Sequence, residues 1–304
     1  MIILNAIFPI FILLLLGGLL KKTNVTNDAF LKTSDRLVYY IFFPAMLFWK
    51  IGKTAPDTND SFSLCIAAML AVLIVYLLSL LAIKLFHISS FQAGSFSQAC
   101  YRFNTYIGMA VVMNALGETG VRYFGLLIGF AIPVINVLAV STLIWHSGKK
   151  QKIWRHAAHL LKALVSNPLI IGCIAGIFFS RNQLVFPVFI DNTFYLMTSV
   201  TMPLALISIG GSLSMKGLKK NLFVSFIASG LKVAALPFLG YFILKAFGVT
   251  DIPFKAGMIF FTLPTSPAIY VLSAQLNSDT QMASAAIMLS TLLSFVSLSV
   301  ALLI

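Results

Sequence analysis

Two long apolar stretches of this chain are interrupted in their middles, and these interruptions constrain the fold more than any other feature. Tyr101-Arg102-Phe103-Asn104-Thr105 breaks the first, and Leu263-Pro264-Thr265-Ser266-Pro267 breaks the second. An unpaired peptide group in lipid costs several kcal/mol, so such a break survives only where it lines a cavity or is buried in protein. The two breaks therefore mark the expected binding site.

That argument needs a membrane, and the composition supplies one. Of 304 residues, 60% are apolar and 10% charged, which excludes a soluble domain carrying a single anchor. The net charge of +13 is not a mark of nucleic-acid binding, because the basic residues sit in short loops between apolar runs, where topology accounts for them. Cys65, Cys100 and Cys173 fall inside apolar runs without metal-ligand spacing and read as small packing residues. The first apolar run ends in Lys21-Lys22 with no small-residue cleavage site, so it is expected to be a retained helix.

Runs long enough to cross roughly 30 Å of hydrocarbon number ten. They are 2–20, 36–52, 62–86, 91–116 and 121–146, then 163–180, 189–213, 222–247, 254–276 and 280–304. This predicts an all-α polytopic membrane protein with a first five-helix unit (1–147), a basic connector (148–162) and a second five-helix unit (163–304). The connector carries Lys149-Lys150-Gln151-Lys152, Trp154, Arg155, His156, His159 and Lys162. Loops on its side hold roughly twice the Lys and Arg of the other side, which predicts a cytoplasmic connector and both termini outside the cell (inner) membrane.

The halves resemble one another. An offset of 159 pairs Pro9 with Pro168, Gly17 with Gly176, Lys22 with Arg181, Pro44 with Pro203 and Gly52 with Gly211. Near the breaks an offset of 160 pairs Asn104 with Pro264, Thr105 with Thr265 and Leu116 with Leu276. Because each unit has an odd number of spans, the second must enter from the opposite side, giving inverted repeats with discontinuous helices at the fourth and ninth positions. Alternating access follows from that symmetry.

Each break leaves half-helix ends whose peptide groups lack partners. Pro264 and Pro267 give up a donor that a helix start leaves idle anyway, Gly108 allows close approach, and the N-terminal ends of the second halves suit an anion. Arg102 and Lys232 are the two ionisable residues well inside apolar runs, each costing roughly 2.5–3.5 kcal/mol there. Arg102 adjoins the first break and offers a planar fork to a carboxylate. For Lys232 two roles stay open: neutralising the solute, or a fixed charge tying the eighth helix to the unwound chain without touching solute.

The eight acidic residues, Asp28 and Asp35 among them, fall in loops or at expected helix ends, which disfavours a cation antiporter built on a buried carboxylate. Sodium held by carbonyls and hydroxyls, or a proton carried by Lys232 or by the solute, both stay open as the coupling ion. Nothing points to catalysis or a cofactor. No Gly-x-Ser-x-Gly, His-Glu-x-x-His or phosphate loop occurs, and His156-x-x-His159 has no third ligand nearby, so no metal is expected. Hydroxyls of Ser290, Thr291 and Ser294 are expected to bond across helices.

The order of these motifs resembles the auxin efflux carrier family, within a bile acid/sodium symporter-like superfamily, whose bacterial members include malate and malonate permeases. The likeness rests on Leu37 to Phe48 with Pro44; on Arg102-Phe103-Asn104-Thr105 with Gly108 and Leu116-Gly117-Glu118; on Lys232 with Pro237; and on Leu263 to Pro267 with Ser290 to Ser294. It implies crossing fourth and ninth helices in a mobile domain (helices 3–5 and 8–10), and a scaffold of helices 1, 2, 6 and 7 that also forms a homodimer. Asn104, Thr105, Pro264 and Thr265 then fall at the crossover, with Phe103 where a small residue is expected.

The resulting expectation is a secondary transporter of small organic anions, mono- or dicarboxylates, working as an elevator. Arg102 would hold the carboxylate, Asn104, Thr105, Pro264, Thr265 and Ser266 would shape the site, and Lys232 would set its charge. The partners implied are a carboxylate, lipid, and a coupling proton or sodium, with no nucleic acid. The rivals are a coupled importer of a neutral or cationic solute, and a channel or membrane sensor.

Overall fold

The computed structural model describes residues 2–53, 59–146, 166–213 and 218–304; the expected connector, 148–162, lies outside them. Among the described residues the regular structure is helical. The helices are α1 (Ile2–Lys22), α2 (Asp28–Leu37), α3 (Phe43–Gly52), α4 (Asn59–Leu85), α5 (Ser90–Tyr101), α6 (Thr105–His146) and α7 (Pro168–Arg181). They continue with α8 (Val188–Ser212), α9 (Leu218–Gly230), α10 (Leu236–Ala246), α11 (Asp251–Thr262), α12 (Ala268–Gln275) and α13 (Thr280–Leu303). Among the described residues six stretches are long and apolar enough to cross a membrane, one of them Ser90–His146, and Pro168–Arg181 is a shorter apolar helix.

Two pairs of helices are single rods joined by a widened turn. Val38–Phe42 joins α2 to α3, and Leu231–Ala235 joins α9 to α10, all in helical backbone conformation. Pro44 and Pro237 each stand two residues beyond such a turn. A proline lacks an N–H and its ring crowds the carbonyl four residues back, so the extra residue per turn relieves a conflict that would otherwise kink the rod. The helix expected to begin at 36 therefore begins at Asp28. Asn27 caps it, its side chain accepting from the Phe30 N–H at 2.8 Å.

The loop expected between the fourth and fifth spans shrinks to one residue. Gly117, at φ 63 and ψ −154, redirects the chain inside α6. No L-residue adopts that conformation readily.

Helix ends recur at fixed separations. After α1, Thr23, Asn24 and Val25 donate to the carbonyls of Leu19, Lys21 and Leu20; after α7, Asn182, Gln183 and Leu184 donate to Phe178, Ser180 and Phe179. Every member of the second set lies 159 residues after its counterpart, and Asn24 and Gln183 both take positive φ, as a Schellman end requires. The same motif closes α4 at His87 and α10 at Gly248, now 161 apart, and the α5 and α11 that follow are each 12 residues long. At a separation of 161, Asn104 aligns along the sequence with Thr265 rather than with Pro264, one residue from the expected pairing near the breaks.

Packing of α1 on α8 and of α3 on α7 depends on glycine. A Cβ added at Gly210 would sit 1.9 Å from the Leu14 carbonyl oxygen, and one at Gly17 2.1 Å from that of Ile207. A Cβ at Gly176 would lie 3.0 Å from the Phe48 carbonyl oxygen. In lipid, where burial of apolar surface no longer drives helices together, backbone approach of this kind supplies the van der Waals contact. Gly210→Val should therefore force α1 and α8 apart and lower the detergent-solubilised melting temperature by several degrees, as overpacking by 1–3 kcal/mol does. An unchanged melting curve would contradict the contact.

Buried positions of α4 and α5 include the small and branched Ala67, Ala68, Ala71, Val75 and Ala93, while Leu15, Leu77, Phe178, Phe189, Phe223 and Phe238 point outward. An outward surface this apolar is one that hydrocarbon selects. All three cysteines are buried and free, as expected.

Candidate functional site

The two breaks meet. The chain leaves helix at Arg102 to Asn104 and again between Thr262 and Ala268, and the Asn104 N–H donates to the Pro264 carbonyl at 2.9 Å. Helix ends leave unpaired carbonyls and N–H groups, and in a dry interior these need partners. At the crossing they find them in side chains from other elements. Thr265 Oγ1 donates to the Ala99 carbonyl at the end of α5 at 2.8 Å, and the Thr265 N–H donates to Ser290 Oγ at 3.1 Å. At the end of α11, Lys232 Nζ donates to the Phe261 carbonyl at 2.8 Å and Ser297 Oγ to the Thr262 carbonyl at 3.0 Å.

The second halves start with side-chain caps. Asn104 Oδ1 accepts from the N–H groups of Tyr106 and Ile107 at 3.1 and 3.2 Å, and Ser266 Oγ accepts from Ala268 N–H at 3.3 Å. Of the three hydroxyls expected to bond across helices, Ser290 does so; Thr291 and Ser294 instead donate to carbonyls of their own helix.

Beside the crossing lies a cavity of about 480 Å³. Arg102, Phe103, Asn104 and Thr105 line it from the first break, Ser266 and Pro267 from the second, Asn136 and Ile135 from α6, and Asp35, Arg36, Tyr39 and Tyr40 from the α2–α3 rod. Arg102 is buried, with Nη2 donating to Asn136 Oδ1 at 2.9 Å and Nη1 to Gln98 Oε1 at 3.4 Å. The ion pairs among the described residues, Lys21–Asp28, Lys50–Glu118 and Lys53–Asp191, do not include it. A guanidinium held by neutral amides keeps its charge available for an incoming anion. Asn104 Nδ2 is buried without a hydrogen-bond partner. A buried donor left unmade costs about 1–3 kcal/mol.

Four of the seven expected site residues, Arg102, Asn104, Thr105 and Ser266, therefore line one cavity. Pro264, Thr265 and Lys232 do not: Thr265 and Lys232 are fully buried, and the polar groups of all three are engaged in holding the crossing. Of the two roles open for Lys232, the contact to the Phe261 carbonyl matches the tether. Gly108 does allow close approach, but of side chains rather than backbone, since an added Cβ would meet the Phe124 ring at 2.3 Å and a Leu263 methyl at 2.6 Å. Phe103 packs on Phe260, ring centroids 4.5 Å apart, filling space a small residue would leave.

Two contributors were missed. The sequence sets Asp35 at an expected helix end, since α2 is too polar to read as a membrane run; the structure puts it inside the rod, on the cavity wall, with Ser208 Oγ donating to its carboxylate. The Asn27-Asp28 start signal could have found it. Asn136 is the second: a neutral amide within an apolar run carries the message of a buried charge in weaker form.

Sequence comparison places this geometry among carriers. The family described as membrane transport protein, that of the auxin efflux carriers, matches residues 2–302. The chain belongs to that family. A protein named "Uncharacterized transporter" from Methanocaldococcus jannaschii is 24% identical over 297 residues, covering 96% of this chain and 95% of the relative. A "Putative malonate transporter" from Rhizobium meliloti is also 24% identical, over 293 residues, covering 95% of this chain and 91% of the relative. An "Uncharacterized transporter" from Methanothermobacter thermautotrophicus is 21% identical over 299 residues, covering 97% and 95%. The resemblance drawn from motif order thus holds across the whole chain, and this family member is an integral membrane protein.

Proposed function

We propose that the protein is a secondary transporter of small organic anions, carrying carboxylates by alternating access. The observation that carries this reading is the buried Arg102 guanidinium, held by two amides at the crossing and facing the cavity beside the unpaired Asn104 amide. The volume, about 480 Å³, suits a small solute. The malonate named for one relative is a solute of this chemistry.

Ten spans follow if the α2–α3 rod counts as the second, α5 with the part of α6 before Gly117 as the fourth, the rest of α6 as the fifth, the α9–α10 rod as the eighth, and α11 with α12 as the ninth. The inverted-repeat reading draws support from the helix ends recurring at separations of 159 and 161 and from glycine contacts related in the same way, Gly17 with Ile207 and Gly176 with Phe48. An elevator with α1, α2–α3, α7 and α8 as scaffold fits the cavity, whose wall is shared between Asp35, Arg36 and Ile209 on one side and Arg102, Asn104 and Ser266 on the other. By loop charge this cavity lies toward the cytoplasm, because the start of the α2–α3 rod follows Lys21-Lys22.

The rival, a coupled importer of a neutral or cationic solute, gains Asp35 as a cavity carboxylate. Two guanidiniums outnumber it. Counterflow in proteoliposomes, with labelled mono- and dicarboxylates and with or without sodium and proton gradients, tests the proposal. Exchange of at least one carboxylate is expected, while exchange of cationic or neutral solutes alone would overturn it.

A further inference from the structure

The cavity holds Arg36 and Arg102 as cations and Asp35 as its carboxylate. With Asp35 ionised, the site carries one net positive charge; with Asp35 protonated, it carries two. The local structure accommodates both forms. Ser208 is buried, and its hydroxyl reaches both the Asp35 carboxylate and the Leu31 carbonyl, the latter at 3.1 Å. It has one proton and two acceptors. Beside an ionised Asp35 it donates to the carboxylate. Beside a protonated Asp35 it accepts the acid proton and turns its own proton to Leu31, so neither form strands a buried polar atom.

The titratable and charged groups that share the cavity wall with Asp35 are Arg36 on its own helix, Tyr39 and Tyr40 in the widened turn, Tyr106 at the start of α6, and Arg102 at the break. From α8 come Ser208 and Ser212, with no titratable side chain along the cavity. Tyrosine and arginine ordinarily keep their protons throughout the neutral range. Asp35 is thus the group in this cavity suited to exchange one.

Building on the organic-anion reading above, we propose that the site binds a dicarboxylate dianion together with one proton, which passes from water to the Asp35 carboxylate, whereas a monoanion binds without it. The second guanidinium then meets the second carboxylate of the solute, and the filled site is neutral. No other bond is made or broken.

Calorimetric titration of the purified full-length protein, above about pH 7 where malonate and monomethyl malonate are both ionised, tests this. Run in two buffers of different ionisation enthalpy, malonate binding should take up about one proton and lose about tenfold in affinity per pH unit, while monomethyl malonate takes up none. In Asp35→Asn, neutral at every pH, malonate should bind with no such slope. Malonate binding without proton uptake, or a slope that survives Asp35→Asn, overturns the proton role and leaves the anion reading standing. Failure of both ligands to bind at any pH overturns this proposal, while the counterflow panel decides the anion reading separately. The proton count on the unmodified protein needs no variant, so poor folding of Asp35→Asn does not disarm the test.

Discussion

Arg102→Gln should weaken carboxylate binding roughly 10- to 150-fold, the equivalent of the 1.5–3 kcal/mol that a charge-assisted hydrogen bond contributes. The loss comes from charge, because glutamine keeps most of the side-chain length and can still donate to Asn136. The fold should survive: Asn136, which now accepts from Arg102, lines a cavity that water can enter, and the Gln98 amide already donates to the Gly94 carbonyl of its own helix. Arg102→Lys should recover only part of the affinity, since an ammonium replaces a planar two-pronged donor by a point charge. Binding calorimetry and counterflow in matched proteoliposomes measure both variants. Uptake and affinity that are the same in Arg102→Gln as in the parent would remove Arg102 from the site.

The other large effect is expected at Lys232. Its ammonium serves the Phe261 carbonyl at the last turn of α11, next to the break. Lys232→Met fills the space without a donor, leaving that carbonyl unserved at a cost of about 1–3 kcal/mol and freeing the second break to change conformation. Transport should fall by at least about tenfold, because a 1.4 kcal/mol difference is a factor of ten in an equilibrium. Affinity for the carboxylate should stay within about threefold, because Lys232 does not line the cavity. This split between transport and binding separates a tether from a ligand. A parallel collapse of binding in Lys232→Met would return Lys232 to the solute.

Much of the site was legible in the chain. Arg102 and Lys232 stood out because a charge at membrane depth needs a reason, and the two Pro- and Asn-containing interruptions stood out because apolar sequence surrounds them. The exact roles within the crossing were not legible. Thr265 and Asn104 are both small polar residues at matching breaks, yet one faces a helix end across the crossing and the other faces the cavity. Which way each points depends on the angle at which the second break passes the first, a property of two segments about 160 residues apart that no local pattern encodes.

Asp35 illustrates a different limit. Hydropathy measures the average environment of a window, and the polar face of α2 lowers that average although the rod runs unbroken through Val38–Phe42 into α3. Its cavity position follows from where α2 packs, beside Ser208 of α8, and not from its neighbours in sequence.

What the sequence determined by itself is the class of the molecule: apolar runs of membrane length, polar breaks within two of them, and buried charge beside one break, all of which follow from the cost of placing peptide groups and ions in hydrocarbon. Tertiary structure alone decided that the breaks touch through Asn104 and Pro264, that Lys232 and Thr265 are held by helix ends, and that Asp35 joins Arg102 in one cavity. The physical reason is that solvation is a local property of each residue, whereas hydrogen-bond partners at a crossing are chosen by geometry between distant segments.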